Sequence, residues 1–265
     1  MVTKRLIACF DIIGDRVTKA VNFRDNIDVG PAEELASMMY EEQIDELIFY
    51  DITASAERRR LNIETVKKVA GRIFIPFSVG GGIRNLDDMY EALKAGAEKI
   101  SIDSMAVRNP RIITEGARAF GSQCIVLSTQ VKKTKKTYQI PSGYEVYIDG
   151  ARLATGMDAI EWIKKGQDLG AGEICINSID NDGTLSGYDI GLMKLAGEAV
   201  SVPLIASGGA GKPEHLKELF TETAAQAAII SSMLYSPRME RNYKVAELKE
   251  YLLKENIHVR PYMAG

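Results

Sequence analysis

Short, nearly unbroken apolar runs alternate with longer amphipathic stretches along the whole chain. The apolar runs fall at 6–10, 46–51, 76–79, 99–102, 125–129, 174–177, 203–206 and 227–230. They are rich in Ile, Val, Leu, Phe and Ala, which predicts strands covered on both faces. Between them, 31–42, 56–70, 86–95, 109–120, 158–169, 190–199, 213–220 and 244–254 repeat apolar residues every three or four positions. That is the spacing of helices with one buried face. Strands and helices in strict alternation predict an α/β chain, and eight of each predict a closed (β/α)8 TIM barrel.

Two stretches break the rhythm. Residues 13–30 are polar and rich in Asp, Asn and Arg, which predicts a mobile active-site loop after the first strand. Residues 131–156 mix lysines (Lys132, Lys133, Lys135, Lys136) with the β-formers Tyr144, Val146, Tyr147 and Ile148. They read as a hairpin-like excursion after the fifth strand, with the lysines on a solvated face. No low-complexity linker divides residues 1–265, so a single domain is expected.

The two halves of the chain echo each other. Asp11 ends the first apolar run and Gln130 the fifth; Asp51 ends the second, and Asp180 and Asp182 follow the sixth. Glycine turns follow the third and seventh runs, in Phe77-Ser-Val-Gly-Gly-Gly-Ile83 and Ile205-Ala-Ser-Gly-Gly-Ala-Gly-Lys212. Asp103-Ser104 and Ser231-Ser232 follow the fourth and eighth. Matching polar groups at matching strand ends predict a barrel built from two similar half-barrels. Glycines past a strand let the backbone approach a ligand closely, and a following helix N-terminus favours a phosphate. Two such units predict a substrate with a phosphate at each end.

In a barrel of this class the active site lies at the C-terminal ends of the strands, where Asp11, Asp51, Gln130, Asp180 and Asp182 are expected to gather. Asp11 reads as a general acid or base, because it closes a buried run with no helix to cap. Asp51 reads instead as a cap on the turn that follows it. At the opposite end, Arg5, Glu46, Lys99 and Glu173 open or precede apolar strands at alternate positions around the barrel. Two cations and two anions there suggest a charged ring.

Charge and composition narrow the classes. The formal net charge is −3, which leaves no basic footprint for nucleic acid. No apolar run approaches a membrane span, and no signal-peptide core is evident. Cys9, Cys124 and Cys175 lie in β-like runs and read as buried free thiols of a reducing cytoplasm. His215 and His258 do not share metal-ligand spacing with them, and Asp180-Asn-Asp-Gly-Thr184 lacks the later Glu of a calcium loop. No metal or cofactor is expected.

Several longer stretches, taken together, resemble the cyclase subunit of imidazole glycerol phosphate synthase over nearly the whole length. They are Lys4-Arg-Leu-Ile-Ala-Cys-Phe-Asp11, Asp45-Glu-Leu-Ile-Phe-Tyr-Asp-Ile-Thr-Ala-Ser55, Val79-Gly-Gly-Gly-Ile83, Gly170-Ala-Gly-Glu-Ile174, Ser178-Ile-Asp-Asn-Asp-Gly-Thr-Leu-Ser-Gly-Tyr-Asp189 and Ala206-Ser-Gly-Gly-Ala-Gly-Lys212. The resemblance implies a barrel with a glutaminase subunit docked at its N-terminal face. Ammonia would pass through the barrel to a bis-phosphorylated ribulosyl formimino aminoimidazole carboxamide nucleotide. The products would be imidazole glycerol phosphate and the aminoimidazole carboxamide ribotide. By the same resemblance Arg5, Glu46, Lys99 and Glu173 form the ammonia gate. One phosphate clamp comprises Gly82, Asp103 and Ser104; the other comprises Asp182, Gly183, Gly209, Ser231 and Ser232. Lys19 matches a lysine that reaches toward the substrate.

Three positions depart from the family pattern. Gln130 stands where the family has a second catalytic Asp, and glutamine cannot exchange a proton at neutral pH. Asp103 stands where Asn is usual in the first clamp, which sets a carboxylate beside a phosphate. Ile13-Gly-Asp15 replaces the usual Lys-Asp-Gly. These changes fall on the substrate face and leave the charged face intact. They admit alternatives to the cyclase: a paralogue that passes glutaminase-derived ammonia to another acceptor, or a non-catalytic channel subunit.

Overall fold

A computed structural model describes residues 3–21, 24–54, 59–236 and 239–263. Eight parallel strands close into a (β/α)8 TIM barrel. In order around it they are β1 (Arg5–Ile13), β4 (Glu46–Asp51), β5 (Phe77–Gly80), β6 (Lys99–Ile102), β7 (Ile125–Lys133), β10 (Glu173–Ser178), β11 (Leu204–Ser207) and β12 (Ala227–Ile229). β12 returns to pair with β1, so the barrel has no open edge. The outer shell is α1 (Ala32–Glu41), α2 (Ile63–Ala70), α3 (Leu86–Lys94), α5 (Arg111–Phe120), α6 (Ala159–Asp168), α7 (Ile190–Ala199), α8 (Pro213–Glu222) and α10 (Val245–Lys254).

Strand pleat sorts the side chains into two cores. Leu6, Ala8, Phe10 and Ile12 of β1 point outward into the large core between sheet and helices. Ile7 and Cys9 point inward and join Ile48, Val126, Cys175, Ile205, Ala227 and Ile229 in a separate cluster inside the barrel. Adjacent residues of one run thus serve opposite faces, which is why the runs read as continuously apolar.

Three sequence expectations are corrected here. Residues 13–30 contain two strands, β2 (Arg16–Val21) and β3 (Arg24–Pro31), with β2 antiparallel to β1 and β3 antiparallel to β2. β-branched Val17, Thr18, Ile27 and Val29 favour that ribbon over a loop. Consequently β1 runs on to Ile13, and Asp11 sits within it rather than ending it. β7 likewise continues past Gln130 to Lys133, paired with β8 (Tyr144–Ile148) and through it β9 (Leu153–Asp158). The first strand of each half therefore carries an antiparallel two-stranded extension. The helix expected over 56–70 begins only at Ile63, with Asn62 as its N-cap accepting from the Thr65 N–H at 3.3 Å; residues 55–58 lie outside the described ones.

Two short helices, α4 (Ser104–Arg108) and α9 (Ser231–Tyr235), were not foreseen. They follow the last strand of each half and put Asp103-Ser104 and Ser231-Ser232 at the C-terminal face.

At the other end, Lys249 of α10 is wholly buried. It bonds Asp45 Oδ1 at 2.8 Å and the Gln43 carbonyl at 2.7 Å, while Asp45 Oδ2 accepts the Leu6 N–H at 2.9 Å. This pair ties the last helix to the start of β1. Lys249→Met strands a buried carboxylate with only the half-exposed Arg260 beside it, so a loss of about 3 kcal/mol of stability is expected by denaturant titration.

Candidate active site

Register fixes which side chains meet at the mouth. Ile7 of β1 lies beside Glu46 of β4, and Val126 of β7 lies beside Glu173 of β10. Four residues further along each first strand, Asp11 faces Tyr50 and Gln130 faces Asn177. Asp11 and Gln130 are therefore equivalent positions in the two halves, as are Glu46 and Glu173. The pleat turns Asp11 and Gln130 inward above the barrel core.

A recess opens at this face. Its walls bring together Asp11, Lys19, Gln130, Asp182, Gly183, Gly209, Ser231 and Ser232. Gly82, Asp103 and Ser104 are not among them. Gly82 is buried, and a Cβ there would meet Ala54 at 2.8 Å; Ser104 Oγ accepts the Asp149 N–H at 2.9 Å from the β8–β9 turn. The second half thus supplies an open site and the first half a more covered one.

Burial pushes the Asp11 carboxyl up to about 6, with Lys19 pulling it down and Asp182 adding to the rise. Asp182 is raised by burial and held back by Lys19, the Asn177 amide and the Gly183 N–H. Lys19, delivered by β2, is the shared cation of both acids. Asp103 is pushed up to about 7 by burial, with Asp149 adding to the rise and Gln130 and Arg108 opposing it. The like-charge conflict expected at the first clamp is therefore softened, because burial favours the neutral carboxyl. Ser231 Oγ accepts the Cys9 N–H and donates to the Cys9 carbonyl, both at 2.8 Å, binding the end of β12 to β1.

The other strand-end acids have structural partners. Asp51 is buried, takes a two-pronged contact from Arg59 (2.5 and 2.6 Å) and caps the turn through the Ala54 N–H at 3.2 Å. Asp180 is exposed and accepts the Lys133 N–H at 2.8 Å, outside the recess. Gly209 packs where a Cβ would meet the Gly187 carbonyl at 1.9 Å, so its φ of +103° and its missing side chain are both required.

At the N-terminal face the four charges form a closed ring. Arg5 bonds Glu46 at 2.6 Å and Glu173 at 2.5 Å; Lys99 bonds Glu46 at 3.3 Å and Glu173 at 2.8 Å. Each carboxylate gives one oxygen to each cation. The strands do not alternate as expected, since β1 and β4 are neighbours; the signs do. Between ring and recess lie the apolar barrel cluster and the Tyr50 hydroxyl, bonded to Ser101 Oγ at 3.0 Å and Ser128 Oγ at 3.2 Å. Burial pushes the inward Cys175 thiol up to about 12, so it stays protonated.

The family model described as "Histidine biosynthesis protein" matches residues 5–240. The imidazole glycerol phosphate synthase subunit HisF of Desulfosudis oleivorans is 52% identical over 260 residues, covering 98% of this chain and 99% of that protein. The proteins of the same name from Desulfatibacillum aliphaticivorans and Desulforapulum autotrophicum are 50% and 52% identical, each over 260 residues and 98% of this chain. The chain belongs to the histidine biosynthesis protein family.

Sequence reasoning missed part of this family member's recess: Tyr50, Ser128, Asn177 and Ser207 also line it. The signal was present, because Ser128 and Gln130 stand two apart on one face of the fifth run and Asn177 closes the apolar sixth. Asp149, whose turn reaches α4, gave no such signal. Among the described residues no three His, Cys, Asp or Glu side chains gather as a metal site requires, and no helix is long and apolar enough to cross a membrane.

The raised Asp11 carboxyl has a stability consequence of fixed sign. Between pH 4 and 6 the folded protein keeps a proton that the unfolded chain releases, so stability falls as pH rises through that window. Asp11→Asn removes the penalty. Denaturation should find the variant more stable than wild type above pH 6, by of order 2–3 kcal/mol, and equal to it below about pH 4.

Proposed function

We propose that this chain is the ammonia-dependent cyclase subunit of an imidazole glycerol phosphate synthase. A glutaminase subunit docks at its N-terminal face and supplies the ammonia. The observation that carries this reading is the joint placement of two groups at opposite ends of one barrel: a buried carboxyl at about 6 with a cation beside it, and a sealed charged ring. About half-identity to proteins of this name over nearly the full length favours the cyclase over a paralogue with another acceptor.

The reaction demands proton traffic. Ammonia adds to the ketone of the ribulosyl chain, water leaves, and the amidine C–N bond to the aminoimidazole breaks; substrate plus ammonia equals the two products plus water. The adding nitrogen sheds protons while the departing water and amine each gain one. A carboxyl near 6 both gives and takes protons at neutral pH, which suits Asp11 to this work. Lys19 holds its ionised form and offers a positive charge to an anionic substrate. Gly183, Gly209, Ser232 and the start of α9 receive one phosphate, while Ser104 and the turn at Gly82 receive the other. Gln130 orients the substrate through its amide. On the far face, Arg5, Glu46, Lys99 and Glu173 seal the barrel until a partner rearranges them.

Two measurements test this. Asp11→Asn should lower ammonium-driven turnover of the nucleotide about 10²–10⁴-fold while leaving the protein folded. Lys99→Ala should leave ammonium-driven turnover within about threefold of wild type but lower glutamine-driven turnover of the two-subunit complex about tenfold or more, because every 1.4 kcal/mol lost at the gate is a factor of ten. Equal effects on both nitrogen sources would remove the ring from ammonia transfer.

A further inference from the structure

The two halves of the mouth are not chemically equal. Asp11 is a carboxyl; its register equivalent, Gln130, has no exchangeable proton at neutral pH. The first half-barrel contributes an acid beside that amide. Gln130 Oε1 accepts from Asn177 Nδ2 at 2.8 Å, which turns the amide nitrogen toward Asp103, and that amide favours the ionised form of the Asp103 carboxyl. Asp103 lies between β6 and α4 at the C-terminal face, and as a whole is only partly covered. Its Oδ1 is nevertheless buried with no hydrogen-bond partner. A buried carboxyl oxygen left unpartnered weakens the fold, so its placement asks for a reason outside the fold.

We propose that Asp103 is the second proton-exchanging carboxyl of this active site, placed across the mouth from Asp11, with the Gln130 amide as its partner. The inference rests on the cyclase reading above. A substrate anchored at α9 and α4 must cross the mouth, so its middle passes between Asp11 and the Asp103–Gln130 pair. The Asp103 O–H gives its proton to the departing amine nitrogen as the C–N bond breaks. The carboxylate so formed takes a proton from the ammonia-derived nitrogen, and no net proton is gained or lost at Asp103.

Other acids fit this role less well. Asp182 shares Lys19 with Asp11, and Asn177 and Gly183 oppose the rise that burial gives its carboxyl. Asp180 is engaged by the Lys133 N–H, and exposed Asp15 faces Lys68 at 3.9 Å. The charged groups facing Asp103 are Arg108 on α4 and Asp149 on the β8–β9 turn, with the neutral Cys175 thiol on β10. Arg108 and Asp149 bond each other at 2.5 Å, so their charges largely offset, and burial sets the proton affinity of Asp103 near neutrality.

The test is ammonium-driven turnover of the bis-phosphorylated nucleotide between pH 5.5 and 9, for wild type, Asp103→Asn, and Asp103→Asn with Gln130→Asp. Asp103→Asn should lose about 10²–10⁴-fold in kcat, and the double variant, with its carboxyl moved to position 130, should regain at least about tenfold. Infrared difference spectra should show a protonated carboxyl band that titrates near pH 7 in wild type and is missing from Asp103→Asn. Unchanged thermal unfolding and unchanged stimulation of the glutaminase show that the variant is folded. An active wild type with Asp103→Asn within threefold of it, or without that band, overturns this inference alone. A wild type that does not turn over the nucleotide overturns the cyclase reading and this inference with it.

Discussion

The register between the first two strands of each half is the constraint on which the rest of the site depends. Ile7 beside Glu46 and Val126 beside Glu173 fix every inward position above and below them, because the pleat repeats every two residues. A slip of one residue in β1 would send Asp11 into the helical shell and Phe10 into the barrel. The same two registers set both carboxylates of the N-terminal ring. Ring and recess are thus opposite ends of one set of alternating side chains and cannot shift independently.

Both candidate acids owe their chemistry to desolvation. Asp11 and Asp103 are raised first of all by burial, and in each case a neighbour limits the rise: Lys19 for Asp11, the Gln130 amide for Asp103. The ring at the other end works by the opposite means. Its four charges are also largely removed from water, but each carboxylate has a cation on either oxygen, so two positive and two negative charges offset one another. One fold therefore keeps buried acids at one face and mutually paired charges at the other.

The barrel was legible in the sequence because parallel strands covered on both faces leave unbroken apolar runs, and eight of these alternated with helical periodicity. The same property concealed the strand ends. Ile13 belongs to a strand yet reads as loop, and Val131 and the lysines beyond it extend the fifth barrel strand, because Asp11 and Gln130 break the apolar runs that lead into them. The second-half site was legible because its glycines and serines stand in one contiguous recess. The first-half site was only partly so, since the contacts of Asp103 with Gln130 and of Ser104 with Asp149 join elements remote in sequence. The ring was visible as four charges opening strands, but its closure by sign rather than by strand position needed the register.

The bonds between Ser231 Oγ and the Cys9 backbone join residues 222 positions apart. Contacts of such separation carry a large loop-closure entropy and form only when most of the chain is already in place. Ser231 is also a wall of the recess. The strand that closes the barrel is thus also the one that closes the cavity around Asp11, and an incomplete barrel holds its acids and its cation with no enclosed chamber. Closure of the barrel and assembly of the recess are a single structural event.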